Sequence, residues 1–511
     1  MANLIEPMLG WASLRAFESV MSPSPLPFDP TGIHLDRSKG LSRQLYAALR
    51  ERILGGQLGS RVRMPATRDL AEALGVSRNT VVRAYDQLYA EGYLEGRVGD
   101  GTYVAELATK ARKTAKAPTN APLHIAQSAA LERLETEHLP APRLDAPRAF
   151  RVGIPAFDLF PFDIWARLQA NFWRRPPLAS LGYGAAAGDA QLRELIAAYL
   201  RNSRGLICDP AQVIITSGAQ QAISLCAQVL LNVGDSVAIE NPGYRAAGKA
   251  FALAGAHLHG VAVDQDGFDT TQLAALKGCR LTYVTPSHQY PTGVTLSLPR
   301  RLQLLEWAAR EQAWIVEDDY DGEYRYRGTP LSPLAALDQH GRVLYVGTFS
   351  KIAFPALRLG YLVVPPSLTD AFSQARALAV RHSEIGTQAV MAEFIAAGHF
   401  QRHIRRMRRA AQARRDALIK GWPSDVPGCQ PLPQVDAGLH LSVRVSSRAR
   451  ELELVEKAAA VGVELNALSD YWLDDSPGTE DDRAGLVLGF AGVSEAHIAT
   501  ALRALEKAWK E

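Results

Sequence analysis

The 511-residue sequence predicts two units of different class, a small α+β unit over residues 36–106 and a large α/β unit over residues 149–511. Two patterns predict them. Leu41, Leu45, Leu49 and Ile53 recur at helical spacing, and the helical stretches that follow give way to a short hairpin. Between Ala211 and Pro365, in contrast, short apolar strands alternate with helical stretches, the order of a mostly parallel sheet with helices on both faces.

Composition bounds the class without deciding function. Apolar residues make up 47% and charged residues 21% of the chain, an ordinary globular balance. No apolar run has the length of a membrane span and the N-terminus lacks a charged-then-apolar leader, so a cytoplasmic protein without a membrane partner is expected. Cys208, Cys226, Cys279 and Cys429 are scattered with no Cys-x-x-Cys pair, which indicates neither a disulfide framework nor a metal site. Residues 1–35 carry two apolar patches and the run Ser-Pro-Ser-Pro-Leu-Pro, which favours extended chain and reveals no function.

In the small unit, Gly55-Gly56 ends the first helix. Thr67 is expected to cap a second helix that holds Leu70, Ala71 and Leu74 and stops at Gly75; Ser77 caps a third, with Val81, Tyr85 and Leu88 on one face and Asn79 and Arg83 roughly opposite. Two helices joined by a tight glycine turn suggest a helix-turn-helix. Gly92–Glu95 and Thr102–Val104 flank Gly99-Asp100-Gly101 and read as a β-hairpin wing. Met64-Pro-Ala-Thr-Arg68, Val76-Ser-Arg-Asn-Thr80 and Gly99-Asp-Gly-Thr-Tyr-Val104, in that order, resemble the GntR-type winged helix. The resemblance implies double-stranded operator DNA as partner, met by Arg68, Arg78 and Arg97, by Ser77, Asn79 and Thr80 at the recognition-helix start, and by Gly99 in the wing. Charge agrees: residues 36–104 hold eleven Lys and Arg against eight Asp and Glu, a net +3 that equals the net charge of the whole chain.

Residues 107–148 begin rich in Ala, Pro, Lys and Thr and have one short helical piece at Leu131–Leu134, the pattern of a flexible linker.

The large unit is organised around Gly347–Gly360. Val343–Val346 is an apolar run of buried-strand type, and it ends in a polar turn that presents Thr348, Ser350 and Lys351 together. A lysine there is a candidate nucleophile; lysine forms Schiff bases with carbonyls, and pyridoxal 5'-phosphate (PLP) is the commonest cofactor that uses one. Thr348, Ser350 and Arg358 supply the hydroxyls and the cation that its phosphate needs. Upstream, Ile214 and Ile215 finish a strand and Gly218 opens a helix, so the backbone N–H groups of Gly218, Ala219 and Gln220 are candidate phosphate donors. Tyr244 follows a Pro-Gly turn after the strand Ser236–Ile239, where its ring can stack on the pyridine. Asp318 lies just beyond the carboxyl end of the strand Ala313–Val316, where open α/β sheets bind ligands, and a carboxylate there keeps the pyridine nitrogen protonated. Tyr320 is then placed for the ring hydroxyl. The competing reading is a solvated acidic loop, because Asp319, Asp321 and Glu323 add further charge.

Thr-Ser-Gly-Ala-Gln-Gln (216–221), Glu-Asn-Pro-Gly-Tyr (240–244), Glu-Asp-Asp-Tyr (317–320) and Ser350-Lys351 with Arg358, taken as an ordered set, resemble the fold-type I aminotransferases. The resemblance implies PLP joined to Lys351 as a Schiff base, with a large part over about residues 182–400 and a small part over about 149–181 and 401–511. In Gly182-Tyr183-Gly184 it implies that Tyr183 reaches the phosphate bound by the partner subunit.

A winged helix joined through a linker to an aminotransferase-like domain resembles the MocR subfamily of GntR regulators, over residues 38–511. That implies a homodimer in which the DNA-binding arm of one chain lies against the body of the other. It also implies operator binding that responds to an effector at the PLP site: a vitamer, an amine or an amino acid. The alternative is an active aminotransferase with an accessory DNA-binding arm. Two departures concern the pocket. The asparagine of the aminotransferase Asn-Pro-Thr-Gly stretch is replaced in Gln289-Tyr-Pro-Thr-Gly293, which leaves His288 and Gln289 as candidate lining residues. Neither Val461–Trp472 nor Leu486–Val493 contains the arginine that clamps a substrate carboxylate, and Arg444 and Arg483 remain without a motif. The arginine-rich stretch Gln401–Arg415 reads as a helix with a solvated basic face.

Overall fold

The structure, a computed structural model, describes residues 26, 28–30, 32–97, 99–106, 128–136, 143–423, 425–426, 428–473 and 478–510. Most of the expected linker, residues 107–127 and 137–142, lies outside the described residues. The chain divides into two compact units, Met1–Ala126 and Gln127–Glu511.

In the first unit, helices α1 (Leu41–Leu54), α2 (Thr67–Leu74) and α3 (Arg78–Ala90) precede the antiparallel strands β1 (Leu94–Arg97) and β2 (Gly101–Val104). Leu45, Leu49 and Ile53 bury one stripe of α1 in a core shared with Leu70 of α2 and Val81, Tyr85 and Leu88 of α3. Gly75 ends α2 at φ +60°, a conformation that a side chain disfavours, and the turn it makes leads directly into α3. Ser77 Oγ accepts from the Thr80 backbone N–H at 3.2 Å and so caps α3.

Two expectations are corrected here. Thr67 is the first residue of α2 and not its cap; Ala66 holds the cap position, and the Thr67 hydroxyl accepts from Arg78 Nε at 3.3 Å. The unit also extends upstream of Asp36, because Ile33 is buried in the same core with Phe28 and Leu35 packed against it.

The second unit is built on an eight-stranded sheet. Its strands are β3 (Val213–Thr216), β4 (Ser236–Asn241), β5 (His257–Asp264), β6 (Gly267–Phe268), β7 (Cys279–Val284), β8 (Trp314–Asp318), β9 (Val343–Thr348) and β10 (Gly360–Val363). Their spatial order is β3-β10-β9-β8-β7-β4-β5-β6, with parallel pairing from β9 across to β5; β10 runs antiparallel to both of its neighbours, and β6 to β5. Strands β8 and β9 are buried at nearly every position, which is why Ala313–Val316 and Val343–Val346 read as continuous apolar runs. A second sheet joins β11 (His440–Arg444), β12 (Asn466–Ala467) and β13 (Gly485–Gly489) in the order β11-β13-β12. Phe150 bridges to Gly489, tying the start of the unit to β13.

The helical piece expected inside the linker forms Ala129–Thr136 and belongs to this second unit, where Arg133 Nε donates to the Leu253 carbonyl at 3.0 Å. The basic helix His399–Gly421 also differs from expectation. Arg402, Arg405, Arg406 and Arg409 are exposed, but Arg414 and Arg415 are buried. Arg414 donates to Asp158 at 2.7 Å and to the Ala491 carbonyl at 2.6 Å, while Arg415 donates to the Val435 carbonyl at 2.6 Å. These two guanidiniums anchor the helix, since a buried cation is tolerable when it is hydrogen-bonded, and here only Arg414 Nε lacks a partner among the described residues.

Candidate functional site

A cavity of about 280 Å³ opens among the residues that follow β4, β8 and β9. Of the residues expected from sequence, it is lined by Ala219, Gln220, Tyr244, Asp318, Tyr320, Thr348, Ser350, Lys351 and Arg358. Gly153, Tyr283, Tyr290 and His440 join them and were not anticipated.

Lys351 Nζ donates to the Gly153 carbonyl at 2.9 Å, and a Cβ at Gly153 would stand 3.0 Å from that nitrogen. Burial lowers the ammonium pKa, against the pull of Asp321 and Asp318. Asp318 is the last residue of β8. Its Oδ2 accepts from Tyr283 Oη at 2.7 Å, whereas Oδ1 is buried and has no partner among the described residues. Burial pushes this carboxyl up to about 7, with the Tyr283 hydrogen bond opposing and Asp319 adding to the rise.

Another part of the lining suits an anion. Helix Ala219–Leu230 begins at Gly218 with no side chain closing its first turn, so the early N–H groups remain available. Gly218 sits at φ +88°, and a Cβ there would lie 3.2 Å from Arg358 Nη1. Arg358 itself donates to the Ser217 carbonyl at 2.5 Å. Thr348 Oγ1 accepts from the Ser350 N–H at 3.1 Å, which holds the two hydroxyl-bearing residues in one tight turn. Tyr320 donates to the His288 carbonyl at 3.0 Å. Tyr183 is not brought to this cavity: it is 83% exposed, with the Arg381 guanidinium 5.2 Å from its ring centroid.

The solvated acidic loop is overturned by burial. Glu317 accepts from the Leu334 and Ala335 N–H groups, Asp319 pairs with Arg204 and with Tyr345 Oη, Asp321 meets His288 Nδ1 at 2.9 Å, and Glu323 accepts from Tyr199. Those carboxylates hold the scaffold, leaving Asp318 as the carboxylate in the lining. Gln289 and His288 do not line the cavity. Gln289 Nε2 turns instead to Glu240, the Pro242 carbonyl and the Tyr290 carbonyl, and His288 is committed to Asp321. Arg444 and Arg483 are also elsewhere, with guanidiniums 6.0 and 5.9 Å from the Trp472 ring.

In the first unit, Arg68, Ser77, Arg78, Asn79, Arg97 and Gly99 are exposed and Thr80 is half-buried. The Ser77 and Thr80 hydroxyls bond each other at 2.9 Å, so capping already occupies both. The Arg97 guanidinium lies 4.7 Å from the Tyr103 ring centroid, which steadies a cation on the wing.

Residues 41–104 match the model of the bacterial regulatory proteins of the gntR family, and residues 179–459 match that of aminotransferase class I and II. The probable rhizopine catabolism regulatory protein MocR of Rhizobium meliloti is 39% identical over 93% of this chain and 94% of its own length. The chain belongs to the MocR-type GntR regulators. Among other MocR-type relatives, the pyridoxine biosynthesis regulator PdxR of Corynebacterium glutamicum is 32% identical over 91% of this chain and 95% of its own. Among solved structures, kynurenine aminotransferase of Pyrococcus horikoshii superposes with a TM-score of 0.64 at 27% identity, covering 77% of this chain and 96% of the enzyme. This MocR-type protein is thus a DNA-binding transcription regulator built on an aminotransferase fold, and that fold implies dependence on PLP. Among the described residues, no helix is long and apolar enough to cross a membrane.

Proposed function

We propose that the protein is a cytoplasmic homodimeric regulator that carries PLP on Lys351 and whose hold on paired operator half-sites responds to a small molecule entering the PLP cavity. The observation that carries this reading is the unpartnered Oδ1 of Asp318 in the same cavity as the Lys351 amine. A buried carboxylate oxygen with no donor is costly, and a protonated pyridine nitrogen supplies the missing N–H. When bound, PLP contributes an electrophilic carbonyl and an electron-withdrawing ring.

The chain's own residues divide the remaining tasks. Lys351 holds the carbonyl carbon, and Gly153 leaves the space its amine occupies. The N–H groups of Gly218, Ala219 and Gln220, the hydroxyls of Thr348 and Ser350, and Arg358 hold the phosphate. Tyr244 covers the ring and Tyr320 meets its hydroxyl. Tyr183, exposed in the single chain, reaches the phosphate of the partner subunit, whose DNA-binding arm lies against this body. Arg68, Arg78, Arg97, Asn79 and Gly99 face the operator, with Ser77 and Thr80 shaping the start of the recognition helix. The test is borohydride trapping followed by peptide mass, with gel shifts on promoter DNA with and without PLP. An unmodified Lys351 in PLP-saturated protein, or no promoter binding in either state, refutes the reading.

A further inference from the structure

His440, the first residue of β11, lines the proposed effector cavity although its ring is almost wholly buried. Its Nε2 lies 3.1 Å from the Pro291 carbonyl oxygen. A carbonyl oxygen only accepts, so Nε2 carries the hydrogen and the Nδ1 of the neutral ring is left as an acceptor. No hydrogen bond within the described chain uses that Nδ1. Neutrality is imposed by the surroundings: burial first, then His288, whose ring centroid is 4.7 Å away, and Lys351 all disfavour the imidazolium.

The neighbours leave this acceptor for something else. His288 Nδ1 lies 2.9 Å from Asp321 and 3.1 Å from Tyr320 Oη, so with its hydrogen on Nδ1 the neutral ring has at Nε2, which is buried without a partner among the described residues, only a lone pair and no hydrogen to give His440. The rings of Tyr290 and Tyr320 meet His440 at centroid distances of 5.1 and 6.5 Å. The cations lining the cavity are Lys351 and Arg358, and Arg358 is bonded to the Ser217 carbonyl beside the helix start. We infer that His440 Nδ1 is the specificity contact of the effector site, and that it selects an amine carrying a hydroxyl donor over one carrying a carboxylate. A hydroxyl donates its hydrogen to Nδ1. A carboxylate presents only lone pairs to it and would lose hydration without a partner.

The inference rests on the PLP reading above, and one experiment separates the two. PLP-loaded protein is titrated by calorimetry with 2-aminoethanol, n-propylamine and glycine, which share an amine and differ at the far end. The expected order is 2-aminoethanol first, about fivefold tighter than n-propylamine, as one neutral hydrogen bond is worth, with glycine weakest. In His440→Phe, which keeps a ring and removes the acceptor, 2-aminoethanol and n-propylamine become equal. Should that variant not fold, the order in the unaltered protein decides alone. Glycine binding tightest, equal affinity for the first two, or no response to any of the three in PLP-loaded protein overturns the inference. A protein that takes up no PLP overturns the cofactor reading and this inference with it.

Discussion

Tyr283 donates its phenolic hydrogen to Asp318 Oδ2 at 2.7 Å and so leaves Oδ1 as the carboxylate oxygen without a partner among the described residues. The two residues sit on adjacent parallel strands, β7 and β8. In this arrangement Tyr283 orients the carboxylate and favours its ionised form. Asp318→Asn is expected to weaken PLP retention at least tenfold and to shift the absorbance of the bound cofactor, because a neutral amide does not support a protonated ring. Tyr283→Phe, which keeps the carboxylate, is expected to give a smaller loss of about fivefold, near the ~1 kcal/mol that one hydrogen bond is typically worth. Absorbance titrations with PLP measure both. Affinity equal to the parent's in Asp318→Asn shows that another acid has the role.

The same carboxyl governs a pH effect in the PLP-free protein. Burial raises Asp318, Glu240, Glu317 and Glu323 to about 7, whereas these groups release their protons near 4 in an unfolded chain. Between these limits these four groups hold more protons in the folded state, so the stability they contribute is fullest below about pH 4 and is lost as pH rises through about 7. His403 and His440, lowered by burial, act in the opposite direction below about pH 6.5. Each group contributes at most about 1.4 kcal/mol per pH unit. Asp264 and Asp269, whose pKa values are lowered, act in the opposite direction but only below about pH 4. Urea unfolding at three pH values within the window is expected to give a shallower slope for Asp318→Asn than for the parent.

Gly218 tests the phosphate seat. Alanine at this position meets both a positive φ of 88° and the Arg358 guanidinium at 3.2 Å. Gly218→Ala is therefore expected to displace Arg358 and lower the affinity for PLP, with little change for pyridoxal, which lacks the phosphate. Equal losses for both would place the phosphate elsewhere.

Most of this cavity was legible in the sequence because its residues sit at strand ends and turns, where Pro, Gly and apolar runs mark the backbone. Lys351, Asp318 and Tyr244 are of that kind. Tyr283 was not, since a tyrosine inside a buried strand looks like core until its hydroxyl is seen to meet Asp318. Gly153 and His440 come from distant segments, and only tertiary packing joins them to Lys351. The acidic run 317–323 left a competing reading open for the converse reason: its charges look solvated until Arg204, His288 and two backbone N–H groups are found beside them. In the first unit the three helices and the hairpin followed the apolar pattern. The cap of α2 did not: the helix begins at Thr67 itself, and the Thr67 hydroxyl accepts from Arg78 Nε.

The DNA-binding surface gives the last test. Arg78 opens the recognition helix and Arg97 ends β1 on the wing; both are exposed, and neither belongs to the unit that contains the cavity. Replacing either with alanine is expected to weaken operator binding while PLP absorbance stays unchanged. The way it weakens distinguishes their roles. A lost base-edge contact costs about 1–3 kcal/mol and relaxes sequence preference, whereas a lost phosphate contact weakens every sequence alike and reduces the salt slope by about one. Arg78 also bonds Thr67, so Arg78→Lys is a needed companion: it keeps a positive charge near the DNA but removes the guanidinium geometry. If Arg78 reads a base, lysine restores binding to random DNA but not the preference for the operator. If it meets a phosphate, lysine restores both. Gel shifts at two salt concentrations with operator and random DNA measure these outcomes, and unchanged operator affinity in the double alanine variant removes both residues from the interface.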